Sequence, residues 1–140
     1  MNPATATGSI SLLTQLSRVV YRRATQDVIG MTLKQLIALD HLRDNTSCLQ
    51  QGLGQMLMLD PNNCVLLLND LDERGYVERR RDPADRRRHI VEITADGRAA
   101  LDEAERKLET LEEQVLGTLD AGERAQLHGL LSKALEGTDE

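Results

Sequence analysis

Half of the chain's fourteen arginines lie between Arg74 and Arg88, and the residues on either side dictate how that charge is carried. Upstream, Asp60-Pro61 predicts a helix start. Asp caps well, and Pro suits the first helical position, where its missing N–H has no partner to lose. Val65, Leu67, Leu68 and Leu71 follow on helical spacing until Gly75 stops the run. Two extended pieces come next, Tyr76 to Arg81 and His89 to Thr94, joined by the polar turn Asp82-Pro83-Ala84-Asp85. A helix followed by an arginine-rich two-stranded ribbon suits a polyanion. The helix fits a major groove, and the ribbon tip reaches phosphates or the neighbouring minor groove.

The overall balance points the other way: 17 Lys+Arg stand against 23 Asp+Glu, for a formal net charge of −6. Distribution decides between the two. From Arg79 to Arg88 there are six arginines and two aspartates, and the screening length at physiological salt is about 8 Å. The local patch therefore dominates at contact, while the acidic remainder penalises loose binding.

At 140 residues the chain is one domain's worth, able to bury a modest core of Leu, Val, Ile, Met and Ala, since Phe and Trp are absent. No apolar run approaches the roughly 18 residues that span a bilayer, and no signal-peptide pattern opens the chain. Cys48 and Cys64 read as reduced thiols. The expectation is a soluble cytoplasmic protein.

In chain order, residues 1–9 read as a flexible tail. Helical spacing then runs from Ile10 through Leu13, Leu16, Val20, Ala24 and Val28 to Gly30, with Leu12 and Val19 widening the stripe. Thr32-Leu-Lys-Gln35 and Ser47-Cys-Leu-Gln50 both have capping-box spacing and predict a second and a third helix. The tight link from Met58 to Asp60 makes the third and fourth helices a helix-turn-helix, and the ribbon behind them makes it winged. After Thr94-Ala-Asp-Gly97 a long helix carries Leu101, Ala104, Leu108, Leu111 and Val115 in heptad steps. Asp120-Ala-Gly-Glu123 caps a last helix bearing Leu127, Leu130, Leu131, Ala134 and Leu135. The ends show more apolar face than one chain covers, which predicts a two-fold dimer; an intramolecular three-helix core is the alternative.

The fold class is thus mostly α: a winged helix-turn-helix with N- and C-terminal dimerisation helices and a two-stranded β wing. Residues 10–30 and 98–140 form the dimerisation region, and 31–97 the DNA-binding lobe of one continuous domain.

Several residue types fit DNA. Asn62 and Asn63 open the fourth helix, where an amide pairs bidentately with adenine N6 and N7; Asn69 lies two turns on. Thr46, Ser47 and Gln50 stand at the start of the helix that crosses the backbone, where hydroxyls and free N–H groups suit phosphate. The run Leu66-Leu67-Leu68 is unusually apolar for a reading helix. It keeps open a second reading, a dimeric protein-binding or ligand-sensing adaptor. A thiol-based oxidant sensor is a third, with Cys48 and Cys64 more simply read as inert buried thiols. His41, His89 and His128 lack metal-site spacing. No nucleophile pairs with a base and no cofactor motif occurs, so catalysis, metal and cofactor are not expected.

The stretches Leu71-Asp-Glu-Arg-Gly75-Tyr-Val-Glu-Arg79, Asp82-Pro-Ala-Asp85-Arg-Arg87 and Ile93-Thr94-Ala-Asp-Gly97 resemble the signature of the MarR family of bacterial transcriptional regulators. The resemblance extends from about Ile10 to Leu135. It implies a triangular homodimer that grips a pseudo-palindromic operator, usually as a repressor. It also implies release by a small, often aromatic and anionic effector, or by cysteine oxidation. By this resemblance Arg87 is the wing-tip arginine that enters the minor groove, and Asp85 orients the wing by pairing with an arginine. Arg86 and Arg88 meet phosphates, and Arg79, Arg80 and Arg81 supply field. Tyr21 and His41 lie on helices that line the family's effector cleft. One departure stands out: the family's reading helix commonly has Ser or Thr near Asn62, Asn63 and Val65, and Arg near Leu66.

Overall fold

The computed structural model describes residues 8–138. Its helices are α1 (Gly8–Arg23), α2 (Gln26–Ile29), α3 (Leu33–Asp44), α4 (Gln50–Met56), α5 (Pro61–Glu73), α6 (Ala95–Val115) and α7 (Ala121–Glu136). Strands β1 (Cys48–Leu49), β2 (Val77–Asp82) and β3 (Asp85–Ile93) form one antiparallel sheet in the order β1-β3-β2. Of the segment 1–9 expected as a tail, residues 1–7 lie outside the described residues, and Gly8 and Ser9 already belong to α1.

Most helix starts follow from their caps. The Thr32–Gln35 capping box forms in both directions, and so does Asp120–Glu123, at 2.8 and 3.0 Å. The Asn63 N–H donates to Asp60 Oδ1 at 2.7 Å ahead of Pro61. Helix α5 ends at a left-handed Gly75, φ +77°. There the Tyr76 N–H reaches the Leu71 carbonyl and the Gly75 N–H reaches that of Asp72, both at 2.9 Å. This pair of bonds is the Schellman closure that glycine permits.

Three expectations are corrected. The first helix is not continuous to Gly30. It breaks at Ala24–Thr25, where an extended Thr25 restarts the short α2 and turns Ile29 and Met31 into the core. Ser47-Cys-Leu-Gln50 is not a cap: Cys48 and Leu49 pair with Val91 and Ile90 as β1, and Leu49 precedes α4 without a side-chain cap. The wing is therefore anchored by a third strand, and a tertiary partner has overridden a local propensity. Finally, the α6 seam is filled within this chain. Leu101, Ala104 and Leu111 are buried, and Leu108 and Val115 are half-buried against this chain's own core. The unsatisfied apolar face lies instead on α1 and α7, which bury no residue fully and expose Ile10, Leu12, Leu13, Leu130 and Leu135.

The core sits beneath α5, where Leu39, Leu42, Leu53, Leu68, Leu71, Val91 and Leu101 are fully buried. Two glycines fix its dimensions. A Cβ on Gly54 would meet Cys64 Sγ at 3.1 Å, so this glycine lets α4 close on α5. A Cβ on Gly97 would fall 2.2 Å from the Tyr76 carbonyl oxygen, the atom that accepts the Thr94 N–H at 3.0 Å. Gly97 is what allows α6 to start against the base of the wing.

Gly97→Ala is expected to destabilise the fold by about 3 kcal/mol through overpacking against backbone. Gly52→Ala, where a Cβ meets nothing within 4 Å, should stabilise by about 0.5–1 kcal/mol through helix propensity. Paired urea melts check both. Equal effects would refute the distinction.

Candidate nucleic-acid interface

Helix α5 presents a defined outer face. At about 100° per residue, Cys64, Leu68 and Leu71 share the buried side, and Asn62, Leu66 and Glu73 share the opposite one. All three of the latter are exposed. The apolar run is thereby mostly accounted for, since Leu68 is buried and Leu67 packs against the core. Leu66 is the exception, at 57% exposed. In the turn before α5, Met58 adopts φ +59° and is 88% exposed, while Lys34 Nζ from α3 ties down the Leu57 carbonyl at 3.0 Å.

The flanks of α5 are braced by polar contacts. On one side the Gln35 amide, itself buried, donates to Asp70 Oδ2 at 2.6 Å. Asp70 also holds Arg74 at 3.3 Å, and Arg74 donates to the Gly30 carbonyl at 3.1 Å. On the other side Arg79 Nη2 donates to Asn69 Oδ1 at 2.8 Å and its Nε to Asp72 at 3.1 Å. Asn69 and Arg79, both expected at the DNA, are therefore engaged with one another and fasten the wing to the helix. Asn63 is also engaged, its Nδ2 donating to Asp60 Oδ2 at 3.0 Å. Asn62 stands clear on the outer face. Thr46 and Ser47 are exposed in the segment before β1, not in a helical first turn, and Gln50 is half-buried as the first residue of α4.

The wing closes tightly at Pro83-Ala84, with the Ala84 N–H donating to Asp82 Oδ1 at 2.9 Å. Its arginines differ in their engagement. Arg81 donates to the Arg86 carbonyl at 2.8 Å, Arg80 meets Glu92 at 3.4 Å and Arg88 meets Asp82 at 3.2 Å. Arg87 forks onto Asp85 at 3.0 and 3.1 Å, and its backbone N–H donates to the same carboxylate at 3.1 Å. Its side chain is nonetheless 90% exposed. The Arg87 hydrogen bond holds the Asp85 carboxyl below its ordinary value, helped by the nearby Arg88 charge. Asp85 thus stays ionised and fixes the direction of Arg87, while Arg86 lies exposed beside it.

Between α4, α5 and β3 is a cavity of about 410 Å³ bordered by Leu49, Leu59, Cys64 and Val65 and by Arg87 and His89. Burial pushes both the Cys48 and the Cys64 thiol up. They rest as protonated thiols, the poorly reactive form, which disfavours the oxidant-sensor reading.

Residues 29–88 match the MarR family. The chain is 33% identical over 106 residues to the HTH-type transcriptional repressor NicR of Pseudomonas putida, covering 76% of this chain and 67% of that protein. The chain belongs to the MarR family of transcriptional regulators. Among solved structures it is similar to a mutant MarR from E. coli complexed with operator DNA: 25% identity, TM-score 0.71, 89% of this chain and 91% of that one. It is likewise similar to Bordetella bronchiseptica BpsR, whose DNA binding is regulated by 6-hydroxynicotinic acid: 25% identity, TM-score 0.71, 99% and 100% coverage.

Within this MarR-family fold a second cavity of about 450 Å³ opens between α3, α6 and α7, lined by Leu36, Asp40, Glu105, Leu108, Glu109, Glu112 and His128. Neither Tyr21 nor His41 borders it. Tyr21 is exposed on α1, and the His41 ring faces Asn45 at 3.5 Å. His128 does border it; a helical residue with no sequence partner gave no prior reason to choose it. With four carboxylates in the lining, an anion bound there needs a cation from beyond these residues. Among the described residues no group of three or more His, Cys, Asp or Glu is placed to hold a metal, and no helix is long and apolar enough to cross a membrane.

Helix α3 is clasped to α6 by Arg43, which forks onto Glu105 at 2.8 and 2.9 Å and also contacts Asp40 and Asp102. The Arg43 hydrogen bond draws the Glu105 pKa down from its ordinary 4.5, against an opposing desolvation. A depressed carboxyl stabilises the fold above the unfolded-state pKa, and that stabilisation is lost as pH falls through the folded value. Glu105→Gln is therefore expected to cost about 0.5–1 kcal/mol at neutral pH, the range for a partly exposed pair. The gap to the unaltered protein should narrow in thermal melts as pH falls below the ordinary 4.5. A gap independent of pH would assign the loss to packing instead.

Proposed function

We propose that this chain works as a symmetric dimer that binds a pseudo-palindromic operator and represses transcription until a small effector releases it. The observation that carries the reading is geometric. The outer face of α5 is flanked by a wing whose Arg87 guanidinium, 90% exposed, is pre-aimed by Asp85. In this reading each α5 lies in a major groove, with the paired sites about 10 base pairs apart centre to centre. Arg87 enters the flanking minor groove, where narrow A·T tracts concentrate negative potential. Arg86 and Arg88 neutralise phosphates; Thr46, Ser47 and Gln50 meet the backbone; Asn62 reads base edges, while Asn63 stays with Asp60.

Residues 10–30 and 98–140 supply the dimerisation region and 31–97 the DNA-binding lobe. The apolar residues exposed on α1 and α7 support this division, since a second copy covers them by the same two-fold operation that pairs the operator halves. The likeness to NicR and to the DNA-bound MarR supports repression through DNA. The likeness to BpsR supports a small aromatic acid as effector class; contact with Tyr21 and His41 has no such support, since neither borders the cavity between α3, α6 and α7. The protein acts in the cytoplasm and catalyses no reaction.

Arg87→Ala should weaken operator binding by about 1–3 kcal/mol at matched salt, measured by fluorescence anisotropy. Leu130→Lys combined with Leu135→Lys should sediment as a monomer. That variant should lose roughly a hundredfold or more in operator affinity, because the two half-sites no longer act together. Binding that is insensitive to both changes would refute the reading.

A further inference from the structure

Leu66 is the one residue of the apolar run in α5 that the core does not explain. It shares the outer face with Asn62, one helical turn away, about 6 Å along the axis. The neighbouring polar side chains are already occupied within the protein: Asn63 by Asp60, Asn69 by Arg79, Asp70 by Gln35 and Arg74. What the first two turns of α5 offer a groove is therefore an amide and an isobutyl group.

Resting on the DNA-binding reading above, we infer that Leu66 is a specificity determinant that reads the C5-methyl group of a thymine. The chemistry leaves one choice of feature. Leucine has no donor or acceptor, and the apolar group that distinguishes a base pair in the major groove is the thymine methyl. Opposite guanine or cytosine the same side chain would strip water from O6, N7 or N4 without replacing the hydrogen bonds, which is costly. Leu66 thus favours thymine by burying its methyl and rejects G·C by leaving polar edges unpaired. Asn62, with the geometry for adenine N6 and N7, sits within the same half-site. The groove-facing pair and the minor-groove preference of Arg87 then select the same composition, an A·T-rich half-site.

The test uses a duplex selected by the full chain from a randomised library, with deoxyuridine replacing thymine one position at a time. Uracil keeps every hydrogen-bonding group and lacks the methyl. One thymine in each half-site should be sensitive. Its replacement should raise Kd about fourfold, the value of one buried methyl, and roughly fifteenfold when both half-sites are changed. Leu66→Ala, at an exposed site and melting like the unaltered protein, should lose affinity for the thymine duplex and become indifferent to uracil. A chain that binds every uracil duplex as tightly as thymine overturns the inference, as does a Leu66→Ala protein that keeps the uracil penalty. A chain that selects no duplex at all removes the DNA reading, and this inference with it.

Discussion

The burial of Leu68 and Leu71 beneath α5 is the contact on which the interface depends. Fully burying a leucine is worth about 1.5–3 kcal/mol, but here the direction matters as much as the energy. These two leucines and Cys64 set the rotation of α5 about its own axis, and a slip of one residue would swing the outer face by about 100°. Gly54 lets α4 approach closely enough to close that buried side. The polar braces act from the flanks: Gln35, Asp70 and Arg74 toward Gly30, and Asn69 and Asp72 toward Arg79. Few of these groups touch a ligand in the proposed complex, yet together they decide which side chains do.

The wing raises a different question, because its cations are partly neutralised before DNA arrives. Ion pairs at exposed positions contribute little to stability, about 0–1 kcal/mol. Breaking the Arg87–Asp85 fork for a phosphate or a groove is therefore cheap. Its value lies in orientation. A free arginine loses rotamer freedom on binding, about 0.5–1.5 kcal/mol for such a side chain, and a guanidinium held at two nitrogens has already lost much of it. Arg79 is the contrasting case. Only 21% exposed and bound at two points to α5, it transmits the position of the helix to the wing.

What was legible in the sequence and what was not divide along the range of the interaction. Asp60, Thr94, Asp120 and Thr32 announce their helices because a cap is made within three residues. Gly75 announces the end of α5 for the same reason. Cys48-Leu49 could not announce itself as a strand, since its strand character comes from Val91 and Ile90 more than forty residues away. The nearby Ser and Gln then imitated a cap. The heptad seam of α6 was visible, but periodicity records only that a face is buried, not against which chain. At the candidate site the concentration of arginine was plain from composition alone. The separation of Arg79 from Arg87, and of Asn69 from Asn62, required the partners each side chain finds in three dimensions.

Charge segregation completes the physical account. Residues 95–136 carry ten acidic against five basic side chains, so α6 and α7 hold most of the chain's net −6. The fold keeps this charge on helices outside the winged lobe and clasps one of its carboxylates, Glu105, with Arg43 from α3. Residues 31–97 themselves carry nine basic against eleven acidic side chains, so the positive charge is confined to the wing cluster. A DNA duplex approaching by the acidic end is repelled, and one approaching the wings is attracted within a screening length of about 8 Å. An arginine cluster on a neutral body would bind any duplex it met. The same cluster on an acidic body binds weakly unless groove contacts are added, so in the proposed complex α5 supplies the share of affinity that depends on sequence. In the proposed complex, with Asn62 and Leu66 as the exposed ends on the outer face of α5, that share rests on very few atoms, and each of them must be placed correctly.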